Sequence, residues 1–370
     1  MARTILITGG AGFIGSHLVD QLLETGDEVR VLDSLVGQVH GDTQRPEYLS
    51  EEAELIVGDV RDAEAISRAL AGVDAVVHLA ARVGVGQSMY EISDYVAENT
   101  YGTGVLLQAL LDHPVERLVV ASSMSIYGEG AYALEDGTIA PPLERSPEQL
   151  ARSEWEPRGP GGETLAAVPT PEAKPPSLAS VYAVTKYDQE RLCLLYGTAY
   201  GVPTTALRFF NVYGPRQALS NPYTGVLAIF ASRLLNERRP LVFEDGAQRR
   251  DFVAVQDVAR ACRLALERSE AAGHAINVGS GEGISILGLA HELARLLDKE
   301  IEPEVTEKYR VGDIRHCFAD TSLAHEQLGF EAQVGRPDGL ATWADWAAGQ
   351  SPTDRVEAAT QELTSRGLTR

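Results

Sequence analysis

Apolar residues along the chain fall into short continuous blocks separated by segments where they recur at helical spacing. Thr4–Thr8 (TILIT) is such a block, and after a glycine-rich turn it is followed by Ile14, Leu18 and Leu22. Short apolar runs bounded by turn residues predict buried strands, and a four-residue recurrence predicts a helix with one face on a core. The same reading predicts strands at 29–32, 54–57, 75–79, 118–121, 204–209 and 275–278. It predicts helices at 63–71, 96–111, 181–200, 224–236, 256–269 and 286–297. Strands that alternate with long helical segments imply parallel pairing, because each return to the same sheet edge needs a crossover. The expected class is therefore α/β, a doubly wound parallel sheet with a smaller C-terminal α/β lobe.

Two stretches break this rhythm. Residues 129–178 are rich in Pro, Gly and Glu, with Pro141-Pro142, Pro175-Pro176 and R158-G-P-G-G162, and are expected to form a long irregular excursion, either an ordered lid or a mobile loop. The polar segment 351–370 is expected to fray. The expected domains are 1–210 for dinucleotide binding, interrupted by the insert and rejoined by 256–278, and 211–350 for substrate.

Charge and cysteine content narrow the functional classes. The 370 residues carry a formal charge of −21 with no basic arm, which argues against nucleic acid as a partner. Cys193, Cys262 and Cys317 lie far apart without metal-ligand spacing, so no metal is expected, and free thiols fit a reducing cytoplasm. The start MARTILITGG enters a strand directly, and no apolar run is long enough for a membrane span.

Candidate chemistry begins at the first turn. Gly9, Gly12 and Gly15 follow a strand and open a helix, with Phe13 and Ile14 between them. This spacing permits a tight turn, close approach of backbone to a pyrophosphate, and a helix N-terminus aimed at phosphate. Asp33 ends the second strand, eighteen residues past Gly15. A carboxylate there binds ribose hydroxyls and repels a 2′-phosphate, which favours NAD over NADP. Asp59 and Val60 are expected beside the adenine, and Leu79, Ala80 and Ala81 beside the nicotinamide ribose. The resulting expectation is a Rossmann-type domain.

The second candidate site is S180-V-Y-A-V-T-K186, where Tyr182 and Lys186 share one helix face. Spacing alone leaves open a catalytic pair or an ordinary amphipathic helix. TGGAGFIG, HLAA at 78–81, SSMSIYG at 122–128, Y-x-x-x-K at 182–186, RFFNVYGPRQ at 208–217 and RRDFVAVQDVA at 249–259 together decide it. With these motifs the chain resembles the extended short-chain dehydrogenase/reductase family, in its nucleotide-sugar epimerase and dehydratase group. That resemblance implies Tyr182 as acid–base residue, with Lys186 binding the nicotinamide ribose and lowering the tyrosine pKa. It also implies Ser123 at the sugar C4 oxygen, Ser122 and Asn99 as cofactor contacts, and a packing role for Tyr187.

Dehydratases of the group carry Asp and Glu after the catalytic hydroxyl residue, where this chain has Met124 and Ser125, so dehydration is not expected. The reaction implied is transient oxidation at C4 to a 4-keto sugar and re-reduction. The resemblance places substrate at Val83, Gly84, Ser123, Met124, Ser125, Asn211, Asn221, Thr224, Gly225, Val226 and Val242. Arg250 and Arg310 would grip the diphosphate, with Arg315 either adding to that grip or forming a structural pair with Asp313. SSMSIYGEG, the proline-rich insert and RQALSNPYTGV are similar to 4-epimerases acting on dTDP-L-rhamnose. W155-E-P-R158 is followed by GPGG without a cysteine, which excludes a zinc ribbon in the insert. UDP-hexose epimerisation and reduction of a dTDP-4-keto-6-deoxysugar stay open, as does a non-catalytic NAD scaffold. A dTDP- or UDP-sugar is thus the expected partner. A homodimer through the helices at 96–111 and 181–200 is also implied, with Val105, Leu106, Leu110, Leu192 and Leu195 as apolar positions.

Overall fold

The computed structural model describes residues 2–41, 44–140, 144–223, 225–310 and 312–369. Five strands open the central sheet: β1 (Thr4–Thr8), β2 (Glu28–Asp33), β3 (Glu54–Val57), β4 (Ala75–His78) and β5 (Arg117–Ser123). With Thr204–Phe209 and Ala275–Val278 they form one seven-stranded sheet. Its order is Ala275–Val278, Thr204–Phe209, β5, β4, β1, β2, β3, and every pairing is parallel. Strand order reverses at β1, which lies between β4 and β2 and so opens the crevice where doubly wound sheets bind ligands.

The apolar runs are continuous because both sheet faces are covered. Ile5, Ile7, Val31 and Val77 pack on one side against α1 (Phe13–Glu24) and Val255–Glu267. Leu6, Leu32, Val76 and Val120 pack on the other against Ala63–Leu70, Gly102–Ala109 and Val181–Tyr200. The second lobe is built on Asn211–Tyr213, Arg249–Ala254, Gly283–Ser285 and His316–Cys317, over a core with Phe230, Leu293 and Trp343. Asp251 is fully buried there and accepts from the N–H groups of Ser280, Gly281 and Ala319, tying three segments together.

Three segments depart from expectation. The helix expected at 96–111 is a π-turn at Val96–Tyr101 followed by an α-helix at Gly102–Ala109. Within the described residues of the insert, expected to be irregular, Ala131–Ala133 pairs antiparallel with Ile139–Ala140 and Ala166–Val168. Charge holds it, since the Arg315 guanidinium is shared among Glu156, Glu244 and Asp245, and Arg145 bonds Glu244 at 2.7 Å. The tail does not fray. Val356–Ser365 is a helix whose Val356, Ala359 and Leu363 are buried at i, i+3 and i+7. Among the described residues, no helix is long and apolar enough to cross a membrane.

Candidate active site

One cleft of about 850 Å³ runs from the glycine turn to the second lobe. At its first end the glycines are required by close approach. Gly9 has φ of 72°, and a Cβ there would stand 2.8 Å from Ala80 N, while one on Gly15 would stand 2.4 Å from Gly9 O. α1 starts at Gly12 without a side-chain cap or an acidic residue in its first turn. Its free N–H groups therefore suit an anion. The Asp33 carboxylate accepts from Ala11 N–H at 3.1 Å and Leu35 N–H at 2.9 Å, so it braces the turn while facing the cleft. Phe13, Ile14, Asp59, Val60, Leu79, Ala80 and Ala81 complete this end. Arg61 bonds Asp59 and holds its carboxyl below the usual range. Pyrophosphate on amides and ribose on a carboxylate fit an NAD molecule.

The middle of the cleft holds the tyrosine and lysine. Ser180 caps Val181–Tyr200 by accepting from Ala183 N–H, and Ser88 Oγ accepts from Tyr182 N–H at 3.0 Å. These contacts fix Tyr182 in the first helical turn, edge-on to Tyr95. Its phenol lines the cleft with Ser123, whose hydroxyl donates to Ser125 Oγ at 3.1 Å. Burial pushes Tyr182 up to about 12, opposed by the bond to Ser123. Burial likewise pushes Lys186 down to about 7. The Lys186 ammonium donates to Gln189 Oε1 at 2.6 Å. Tyr187 packs against the cluster of Met124, Ile126, Tyr127 and Phe210.

Two expected cofactor contacts have other partners. Ser122 borders the cleft, but its hydroxyl donates to Glu190 at 2.6 Å, and Arg208 grips the same carboxylate. Asn99 is fully buried outside the cleft wall, bonding both Arg82 N–H and Arg82 O and donating to Thr185. The π-turn that carries it directs its amide at backbone.

At the far end Val83, Gly84, Met124, Ser125, Asn211, Gly225, Val226, Arg250 and Arg310 line the cleft. Arg310 lies over the Phe243 ring at 4.2 Å, and its Nε has no partner among the described residues. Burial lowers its pKa from the ordinary arginine value, with Asp313 opposing. Asn211 Oδ1 and Gln248 Oε1 are also buried without partners. Arg310, Asn211 and Gln248 all line the cleft, a cation and two amides that suit a ligand with phosphate and hydroxyl groups. Arg250 reaches the cleft, but its donors bond Asp313 and the carbonyls of Ile314 and Arg315.

Three expected substrate residues are placed elsewhere. Arg315 is buried beneath the insert with its guanidinium saturated by carboxylates. Val242 is fully buried in the second core, because strand alternation turns Leu241 and Phe243 to the cleft instead. Asn221 braces the rim by accepting from Gln38 Nε2 and Tyr223 N–H. Thr224 lies outside the described residues.

The tail supplies a wall that sequence reasoning missed. Val356, Ala359, Thr360, Leu363 and Leu368 line the cleft. Asp354 anchors the segment on Arg233 and Arg238, and Arg366 lies over the Tyr90 ring at 4.5 Å. A backbone bridge joins Thr369 to Arg310. The 356, 359, 363 spacing was the available signal.

Comparison with known proteins agrees with this geometry. The profile of the NAD dependent epimerase/dehydratase family matches residues 5–149 and 158–279. The chain is 38% identical to a dTDP-L-rhamnose 4-epimerase of Burkholderia thailandensis, over 94% of this chain and 95% of that protein. The solved UDP-glucose 4-epimerase of Thermotoga maritima, with UDP-glucose, superposes with a TM-score of 0.76 at 31% identity, covering 93% of this chain and 98% of that one. The UDP-glucose 4-epimerase of Thermus thermophilus, in complex with NAD, gives 0.74 at 31% identity, covering 94% and 100%.

Proposed function

Starting from the premise that the chain belongs to the NAD dependent epimerase/dehydratase family, we propose that it interconverts dTDP-L-rhamnose and dTDP-6-deoxy-L-talose. It is an NAD-dependent sugar-nucleotide 4-epimerase. The observation that carries the chemistry is that Tyr182, Ser123 and Lys186 line one cleft, with Tyr182 fixed in the first turn of its helix by Ser88. The likeness to the Burkholderia enzyme supports the choice of sugar.

Bound NAD supplies the acceptor and donor of the C4 hydride. The glycine turn holds its pyrophosphate, Asp33 its adenosine ribose and Lys186 its nicotinamide ribose. Tyr182 takes the proton of the C4 hydroxyl and, once the keto sugar has turned its other face to the nicotinamide site, returns that proton to the C4 oxygen. Ser123 bonds the C4 oxygen in both states. Without added charge nearby, a phenol near 12 is a poor base at neutral pH, so Tyr182 ionises only when the cationic lysine and cofactor bracket it. Arg310 grips the diphosphate, which stays fixed while the sugar rotates. Met124 and Ser125 supply neither acid nor base for elimination, which confines the chemistry to C4.

The working form is a homodimer. Val96, Tyr101, Val184, Leu195 and Tyr200 are exposed apolar or aromatic positions on the two neighbouring helical segments, whereas Leu106 and Leu110 are core. The proposed location is the cytoplasm. Incubation with dTDP-L-rhamnose, UDP-glucose or UDP-galactose, without added NAD, tests the reading by NMR of the product sugar. Turnover of dTDP-L-rhamnose is expected. Turnover of only the UDP-hexoses would transfer the assignment to UDP-hexose epimerisation, and no turnover without added dinucleotide would favour a reductase.

A further inference from the structure

Lys186 is 3% exposed, and its Nζ donates to Gln189 Oε1. The amide nitrogen of Gln189 lies 2.9 Å from Thr103 Oγ1 and 3.1 Å from His78 Nε2, with Ala80 O at 3.3 Å. His78 Nδ1 is 2.7 Å from Thr8 Oγ1, and its Nε2 is 2.9 Å from Thr103 Oγ1. All of these side chains are buried.

Proton counting orients this cluster. The Thr103 hydroxyl donates to Asn99 O at 2.6 Å, so toward its other neighbours Thr103 Oγ1 only accepts. His78 is neutral, held well below the usual histidine range by burial and then by Lys186. A neutral ring has one N–H. With that proton on Nε2, His78 donates to Thr103 and its Nδ1 accepts from the Thr8 hydroxyl, while the two Gln189 amide N–H groups go to Thr103 and Ala80 O. Every nitrogen and oxygen then has a matching partner. The amide oxygen is left facing Lys186, whereas the flipped amide would aim N–H groups at an ammonium.

We propose that Gln189 is a positioning residue for this reaction. Clamped by Thr103 and the Ala80 carbonyl, its carbonyl oxygen holds the Lys186 ammonium charged and in place on the cofactor side of the cleft. The inference rests on Lys186 serving the cofactor and Tyr182, and it adds the group through which the segment after β4 controls that lysine. Other titratable groups near the lysine do not replace it. On its own helix these are Tyr182, Cys193 and Glu190, with His78 facing it from β4. Glu190 is already gripped by Arg208 and Ser122. Asn99 and Thr103, on the π-turn and the helix after it, are uncharged.

The chain has four lysines, Lys174, Lys186, Lys299 and Lys308, so lysine-selective 13Cε labelling yields four NMR signals. Lys186→Arg identifies one of them. In Gln189→Met, which keeps the length and removes the strong acceptor, Lys186 is expected to titrate lower than in the unaltered protein by about one pH unit. In Gln189→Glu it is expected to titrate higher. Both shifts are read on the folded protein, with or without NAD, and so do not depend on the sugar. The alkaline limb of the epimerisation rate should move in the same directions. A Lys186 signal in Gln189→Met titrating where the unaltered protein does overturns the proposal. If that variant does not fold, an unshifted signal in Gln189→Glu overturns it equally.

Discussion

Arg310 and Arg315 are five residues apart, Arg315 buried and Arg310 half-buried with its Nε enclosed, yet they face opposite chemical situations. Arg315 has carboxylates on every side: Glu156 and Asp245 each at 2.6 Å and Glu244 at 3.0 Å. Arg310 has an aromatic ring beneath it and an Nε with no partner among the described residues. The first arginine has exchanged hydration for structural partners and locks the insert to the second lobe. The second retains an unmet demand for an anion, in a cleft where Asn211 and Gln248 also keep unmatched acceptors. Residue type and burial alone therefore do not mark a ligand-binding arginine. The state of its hydrogen-bond partners does.

Removing each side chain sharpens this contrast. Arg315→Ala leaves Glu244 and its neighbours short of their cation and is expected to destabilise the fold by about 3 kcal/mol in urea unfolding. The KM of the folded enzyme should stay near that of the unaltered protein. Arg310→Ala should do the reverse, raising the KM for the nucleotide sugar about 30-fold, as losing a charge-assisted bond of about 2 kcal/mol implies. Its unfolding midpoint should change little, because this half-buried side chain gives up only its contact with the Phe243 ring. A destabilised Arg310→Ala with normal KM would erase the distinction.

The tail tests the cleft side further. Deleting 351–370 removes Leu363 and Leu368 from the wall and the backbone bridge at Arg310. KM is expected to rise roughly tenfold, since one buried leucine is worth about 1.5–3 kcal/mol and solvent partly replaces it. An unchanged KM would show that the tail only covers the cleft.

The smallest effect concerns pH on the insert side. The hydrogen bond from His316, then that from Arg315, holds the Glu156 carboxyl down to about 2. A carboxyl depressed in the folded state stabilises fully above its unfolded pKa, about 4.3, and loses that contribution as pH falls toward 2. Because Glu156 is 47% exposed, solvent screens much of it. Part of the drop in urea midpoint between pH 5 and pH 3 should therefore vanish in Glu156→Gln, and an identical drop in both proteins would remove Glu156 from the anchor.

The sheet was legible in the sequence because its strands are buried on both faces and read as unbroken apolar runs bounded by turns. The predicted strand at 204–209 coincides with Thr204–Phe209. The glycine turn and the Tyr182–Lys186 spacing are local, so sequence carries them. Arg315 was not legible, since its partners Asp245 and Glu156 lie 70 and 159 residues away. Val242 was off by one position, which in a strand turns a side chain to the opposite face. Asn99 depended on a π-turn that leaves no mark in apolar spacing. In the tail, intervening Glu, Thr and Gln residues diluted an apolar stripe of three positions, Val356, Ala359 and Leu363.

The proposed epimerisation depends on Tyr182 as the group that moves the C4 proton. The direct measurement is epimerisation of the identified nucleotide sugar by Tyr182→Phe, with folding checked by its unfolding midpoint. Loss of the hydroxyl should lower kcat by roughly a thousandfold while NAD stays bound. Epimerisation by Tyr182→Phe at the rate of the unaltered protein would contradict the assigned chemistry.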